Sequence, residues 1–305
     1  MSSKKPATIV ELSTQLSSAV DTASASIVSI YARRRIPSSG VIWRDGVVVS
    51  ASHTVRRDEE IPVTLPNGDS TTARVAGRDP ATDLVALRVE GAASAKTVAD
   101  DDSAKVGAIV LAAGRPGRNV TASFGIISAI AEGWRSPYGR RVEKLLKLNL
   151  SVYDGFSGGP LIDPSGGVIG INTSTLARGA PISVPTPVVD RVLDELLERG
   201  HIRRGYVGVA LHPVDIGAAL ATRLKLDQQN GLVILSVADG SPADNAGLLI
   251  GDVVLSANGQ SLREHSNFLD ALWSIEEGAT LELGLVRGGE RKTVSVTPTD
   301  REAAA

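Results

Sequence analysis

From Ile9 to about Ala23 the apolar positions Ile9, Leu12, Leu16 and Val20 recur every three or four residues, the spacing of one face of a helix. After Ser26 the pattern changes to short β-prone runs. Ile27–Tyr31, Gly40–Trp43, Val47–Ser50 and Ile61–Leu65 are separated by the turn signals Arg44-Asp45-Gly46 and Pro66-Asn67-Gly68-Asp69. Further runs follow at Thr72–Ala76, Leu84–Val89, Ala108–Ala112, Thr121–Ile130, Leu145–Val152 and Val168–Thr173. About ten such strands with one clear internal helix, Pro187–Arg199, predict an antiparallel barrel or sandwich. A parallel α/β sheet would need crossover helices, and the pattern has no room for them.

That helix ends in Arg199-Gly200-His201-Ile202-Arg203-Arg204-Gly205, a glycine stop followed by a basic stretch, which reads as an interdomain joint. Beyond it, strands at Gly231–Val237, Asp252–Ala257, Leu281–Arg287 and Lys292–Pro298 alternate with helices near Pro242–Ala246 and Ser266–Ile275. The expected organisation is a helical segment (1–24), a β domain (25–200), a linker (201–204), a small α+β domain (205–299) and a frayed tail (300–305). The length of 305 residues agrees, since about 150 residues per domain predicts about two domains.

Composition narrows the function classes. The 32 basic and 34 acidic side chains nearly balance, which argues against a nucleic-acid partner. The absence of cysteine excludes a disulfide framework, a thiolate metal site and a cysteine nucleophile. No run approaches the roughly 18 apolar residues of a membrane span. Polar residues from Glu11 to Asp21 interrupt any signal-peptide core, so the chain as written reads as cytoplasmic, or as periplasmic or extracytoplasmic if a leader was removed.

The segment Asp154-Gly155-Phe156-Ser157-Gly158-Gly159-Pro160-Leu161 sets a serine in a glycine-dense turn before an apolar strand. A serine hydroxyl needs a base to become a nucleophile, and acyl transfer needs backbone N–H groups aimed at the oxyanion. Gly155 can turn its own N–H and that of Ser157 toward one point. Of the four histidines, His201, His212 and His265 fall in the joint or the second domain. His53, at the end of Val47–Ala51, is left as the base. Asp83, leading into Leu84–Val89, suits the orienting carboxylate, while Asp79 reads as a turn cap. The chain order His53, Asp83, Ser157 is that of the chymotrypsin-type triad.

With these stretches in place, residues 40–200 resemble the trypsin-like protease domain of the HtrA (Deg) family, and residues 205–299 resemble a PDZ domain. Ser39-Gly40-Val41-Ile42, Ser52-His53-Thr54-Val55, Gly77–Leu84, Gly125–Ala129, Gly155–Leu161 and Gly170–Thr173 carry the likeness. The resemblance implies a chymotrypsin-like double β-barrel followed by a small α+β PDZ domain. It makes His53 the base, Asp83 its orienter, Ser157 the nucleophile, and the Gly155 and Ser157 amides the oxyanion hole. Ser151 and Val152 would form the substrate pocket, and without an aspartate there small or aliphatic residues are expected before the cleaved bond. Arg204-Gly205-Tyr206-Val207-Gly208-Val209 would grip a peptide's terminal carboxylate, with Phe268, Leu269 and Leu272 divided between groove wall and core. The sequence departs from the family in having Phe156 where Asn usually precedes the serine, Val49-Ser50-Ala51-Ser52 before the histidine, and Leu148-Asn149-Leu150 upstream of the serine.

The implied activity is an ATP-independent serine endopeptidase of protein quality control, acting on unfolded or damaged polypeptides, with PDZ-mediated peptide capture or regulation. A catalytically weak or inactive chaperone or peptide-binding protein is the alternative. No Gly-Lys-Ser/Thr nucleotide loop occurs, and no cofactor or metal is expected. Unfolded proteins and C-terminal peptides are the expected partners. A homo-oligomer, a trimer or a multiple of one, follows from the resemblance, with Ile9, Leu12 and Leu16 offering a stripe that would serve assembly or pack on the barrel.

Overall fold

The computed structural model describes residues 8–300 apart from 94–95, 100–103, 136–140 and 178–179. The tail expected from 301 onward lies outside the described residues. Helix α1 (Ile9–Ser24) starts at a capping box in which Thr8 N donates to Glu11 Oε2 at 2.5 Å and Glu11 N to Thr8 Oγ1 at 3.2 Å. Its apolar stripe divides along its length. Leu16, Ala19, Val20 and Ala23 pack into the molecule, whereas Ile9 and Val10 are 87% and 73% exposed.

The period-2 runs form two closed antiparallel barrels. The first contains β1 (Ile27–Ile30), β2 (Ser38–Arg44), β3 (Val47–Ala51), β4 (Ile61–Thr64), β5 (Ser70–Asp79) and β6 (Leu84–Val89), in the order β1-β2-β3-β6-β5-β4. The second contains β7 (Ile109–Gly114), β8 (Thr121–Arg135), β9 (Arg141–Asn149), β10 (Pro160–Ile162), β11 (Val168–Thr173) and β12 (Ile182–Pro185), in the order β10-β11-β12-β9-β8-β7. Closure leaves neither barrel a free edge. Val28, Ile30, Val48, Ile61, Val85 and Leu87 fill the first barrel, and Val110, Ile127, Leu146, Phe156 and Leu161 fill the second. The opposite faces of the same strands supply a third cluster, where Val49, Leu84, Leu111 and Leu145 meet α1 and helix α2 (Thr186–Arg199). This alternation explains how β3, buried along its whole length, and β7, buried from Val110 onward, serve two cores at once.

Pro187 in the first turn of α2 and the Gly200 cap, whose N–H bonds Leu196 O at 3.0 Å, bound that helix where the sequence predicts. Contacts divide the chain after Ile202, inside the stretch expected as linker. His201 still bridges to Arg78, and Ile202 is buried in the first unit's core.

The second unit contains β13 (Gly205–Tyr206), β14 (Val209–Asp215), α3 (Ala218–Arg223), β15 (Asn230–Val237), α4 (Pro242–Asn245), β16 (Val253–Ala257), β17 (Gln260–Ser261), α5 (His265–Trp273), β18 (Leu281–Arg287), β19 (Glu290–Val296) and β20 (Thr299–Asp300). Its main sheet runs β14-β15-β16-β18-β19, and β13 pairs separately with β20. Phe268 and Leu272 of α5 are buried with Leu232, Ile234 and Leu283, so these two belong to the core. Asp252, only 1% exposed, is held by Arg287 through two hydrogen bonds of 2.7 Å. No helix among the described residues is long and apolar enough to cross a membrane.

Candidate active site

Strand β3 delivers the chain into a tight turn, Ser52–Thr54, that sets His53 at the barrel rim. Opposite it, Asp83 takes a left-handed φ of 57°, an uncommon conformation for a residue with a side chain. The turn before it is built by Asp79, whose carboxylate accepts from Ala81 N at 3.2 Å and from Thr82 Oγ1 at 2.8 Å. Asp83 O then accepts Ser52 N at 2.8 Å, and Asp83 Oδ1 accepts His53 N at 2.9 Å. The two loops are thus fixed backbone to side chain before the imidazole is considered. His53 Nδ1 lies 2.7 Å from Asp83 Oδ2. With the carboxylate ionised, Nδ1 carries the proton and Nε2 is left as an acceptor.

Three consecutive hydroxyl residues that the sequence reading did not single out tie the site together. Thr173, the last residue of β11, and Thr175 both donate to Asp83 Oδ2, the latter at 2.7 Å. Thr175 Oγ1 also lies 3.3 Å from His53 Nδ1. Between them, Ser174 Oγ lies 3.4 Å from Ser157 Oγ. One short segment therefore touches His53, Asp83 and Ser157. Among the described residues Ser174 is the hydrogen-bonding partner of the Ser157 hydroxyl, and the His53 ring is not. Burial opposes the charge on Asp83, but the bond and charge of His53 and the hydroxyls of Thr173 and Thr175 outweigh it. Its carboxyl consequently lies below the ordinary aspartate range.

The glycine-dense turn is held by close approach. Gly155 has φ 93°, and a Cβ there would lie 2.5 Å from Pro116 Cβ and 2.8 Å from Pro37 O. Gly158 has φ 87°, and a Cβ would lie 2.2 Å from both Ser39 O and Ser50 Oγ. No L side chain fits either place. Ser39 Oγ donates to Gly155 O at 2.6 Å, Phe156 N donates to Tyr153 O at 3.1 Å, and Gly158 N donates to Asn172 O at 2.8 Å. Phe156 is fully buried in the second barrel and meets Tyr153 edge to face with centroids 5.4 Å apart. Among the described residues the amides of Gly155 and Ser157 have no acceptor, so both remain available. Ser151 is exposed and Val152 packs partly against the second barrel's interior. Asp154 is exposed.

In the second unit, Gly205 and Tyr206 lie in the short strand β13, and Arg204 N bonds Asp300 Oδ1 at 3.4 Å. Val207 is buried, its carbonyl accepting from Ala243 N at 2.8 Å, and Gly208 O accepts from Ala238 N at 2.8 Å. Among the described residues the Val207 and Gly208 amides donate to nothing. Val209 opens β14, which among the described residues pairs only with β15 and leaves its other edge open.

Comparison with known proteins agrees with the architecture of two closed barrels followed by a second, smaller unit. Residues 38–171 match the trypsin-like peptidase domain model, and residues 205–297 match the PDZ domain model. A probable periplasmic serine endoprotease, DegP-like, of Chlamydia trachomatis is 33% identical over 266 residues, covering 85% of this chain and 53% of the relative. A protein of the same name from Rhizobium meliloti is 33% identical over 274 residues, covering 87% of this chain and 53% of the relative. The chain spans about half the length of the curated relatives it matches. The crystal structure of the serine endoprotease from Yersinia pestis superposes with a TM-score of 0.73 at 26% identity, covering 97% of this chain and 99% of that one. The HtrA-type protease AlgW with a tripeptide gives 0.72 for the structure determined with a serine replaced and 0.70 without it, each at 28% identity, covering 94% of this chain and 97% of that one. Two closed β-barrels followed by a PDZ unit, with both domain models matched in that order, place the chain in the HtrA (Deg) family of trypsin-like proteases with a C-terminal PDZ domain.

Proposed function

We propose that the chain is an ATP-independent serine endopeptidase of protein quality control, with residues 25–200 as the catalytic domain and 205–299 as the peptide-capturing domain. The observation that carries this reading is the Thr173-Ser174-Thr175 segment touching an ionised Asp83, the His53 ring and the Ser157 hydroxyl together. In the reaction, rotation of the Ser157 side chain away from Ser174 presents Oγ to His53 Nε2, which takes its proton as Oγ attacks the peptide carbonyl. The oxyanion receives the free N–H groups of Gly155 and Ser157. Collapse of the tetrahedral intermediate breaks the C–N bond, and His53 returns the proton to the leaving amine. Water then repeats the sequence on the acyl-enzyme. Asp83 holds the Nδ1–H tautomer and offsets the imidazolium charge.

Ser151 and Val152 support a pocket that takes small or aliphatic residues, because neither supplies an anion for Lys or Arg. The unused amides at Val207 and Gly208 beside the open edge of β14 support capture of a peptide's C-terminal carboxylate, the peptide adding as a strand. The exposed Ile9 and Val10 support self-association, and the relatives named periplasmic support an extracytoplasmic site of action. Labelling with a fluorophosphonate tests the core of the reading. The label is expected on Ser157, with parallel degradation of casein. A folded chain that neither labels nor degrades casein would instead be a peptide-binding protein.

A further inference from the structure

A cavity of about 690 Å3 between the first barrel and the β7–β8 turn is used by nothing in the proposed reaction. Arg115 and Arg118 line it together with Tyr31, Thr64, Asn67 and Ser70. Arg115 is only 9% exposed, and burial pushes its pKa down. Its two terminal nitrogens donate to the carbonyls of Arg118 and Ser24, each at 3.1 Å, while the buried Nε has no partner. Carbonyl dipoles satisfy hydrogens but do not supply the full negative charge that a desolvated guanidinium requires. Among the described residues no carboxylate lies within ion-pair distance of Arg115 or Arg118. Asp69, in the adjoining turn, accepts instead from Asn67 Nδ2 at 2.6 Å.

From this uncompensated charge we propose that the cavity binds an oxyanion of the phosphate class. Guanidinium groups match phosphate oxygens in forked hydrogen bonds, and two of them with neighbouring hydroxyl and amide donors exceed what one carboxylate can accept. The volume lies within the range of small-molecule sites and is larger than a bare phosphate needs. The oxyanion is therefore either free phosphate or the phosphoryl group of a small phosphomonoester.

The test is calorimetric titration of the full chain with sodium phosphate and, separately, with glycerol 2-phosphate, at constant ionic strength set by sodium chloride. Saturable binding at one site is expected, and Arg118→Gln should weaken it by about tenfold or more, the effect of losing one charge-assisted contact. Arg115→Met removes the donor that holds Ser24 and Arg118 and is the variant most exposed to misfolding, so Arg118→Gln carries the decision. Equal affinity for the two probes supports a free-oxyanion site, and tighter binding of the ester supports a phosphomonoester site. Heats no different from a sodium chloride titration, or binding unchanged in Arg118→Gln, would overturn the proposal.

Discussion

Replacing Thr175 by valine isolates one hydrogen bond on the orienting carboxylate. Valine keeps the branched shape and removes only the hydroxyl that reaches Asp83 Oδ2 at 2.7 Å. A hydrogen bond to a charged group contributes about 1.5–3 kcal/mol, and because Thr175 itself is exposed, water recovers part of it, which points to the low end, about 1.5 kcal/mol. The folded-state pKa of Asp83 is depressed, so its bonds stabilise the fold above the ordinary aspartate value of about 3.9, and that contribution is lost as pH falls through the lower folded value. Urea unfolding on a Ser157→Ala background, which prevents self-digestion, should therefore show Thr175→Val less stable near neutral pH, with the difference shrinking as the solution is acidified. In the active chain the same change should lower kcat/KM about tenfold, the equivalent of about 1.4 kcal/mol, while Thr175→Ser retains most of the activity. A stability loss that is the same at all pH values, or a serine variant as impaired as the valine, would mean that Thr175 acts through packing and not through the carboxylate.

Other consequences are directly measurable. Ser157→Ala should abolish casein cleavage with an unchanged circular dichroism spectrum, and His53→Ala should be about as damaging, because triad members act as a unit. Phe156→Ala empties a fully buried site and should lower the unfolding free energy by about 3–5 kcal/mol, and binding of a peptide aldehyde should weaken more than binding of the substrate if the side chain also fixes the Gly155–Ser157 amides. A peptide with an apolar free-acid terminus should bind the full Ser157→Ala chain about tenfold or more tighter than its C-terminal amide, measured by fluorescence polarisation, since amidation removes the charge that the Val207 and Gly208 amides would meet.

Much of the fold was legible because apolar alternation survives in most strands. Val47–Ala51 and Leu84–Val89 read as strands and form β3 and β6. The pattern fails where an element is too short to repeat: β12 holds four residues, and Pro181 before it and Pro185 at its end read as turn signals. It also overran β9, which ends at Asn149, because Leu150 and Val152 stay apolar while packing against the second barrel from the loop. In the second unit β14 escaped notice, since its burial is partial and Pro213 lies within it. The edge position that makes Pro213 tolerable also leaves the strand open to an added peptide.

For the site, the sequence pointed to the residues with distinctive chemistry and passed over those that position them. His53 and Ser157 stand out because few side chains can act as base or nucleophile, whereas Thr and Ser at the end of a strand are ordinary surface residues until a buried carboxylate is found opposite them. Asp83 Oδ2 is such a carboxylate, with Thr173, Thr175 and His53 all directed at it. The run Thr173-Ser174-Thr175 is three adjacent hydroxyls at a strand end: β11 stops at Thr173, and the bend at Ser174 and the turn that Thr175 enters direct two hydroxyls to the acid and one to the nucleophile. Phe156 follows a similar logic. Where the family usually has Asn, the aromatic ring drives into the second barrel's core, so the turn carrying Ser157 is anchored by hydrophobic burial in addition to backbone hydrogen bonds. An anchored loop keeps the Gly155 and Ser157 amides unpaired at no further ordering cost when substrate arrives, which is the condition that electrostatic stabilisation of an oxyanion requires.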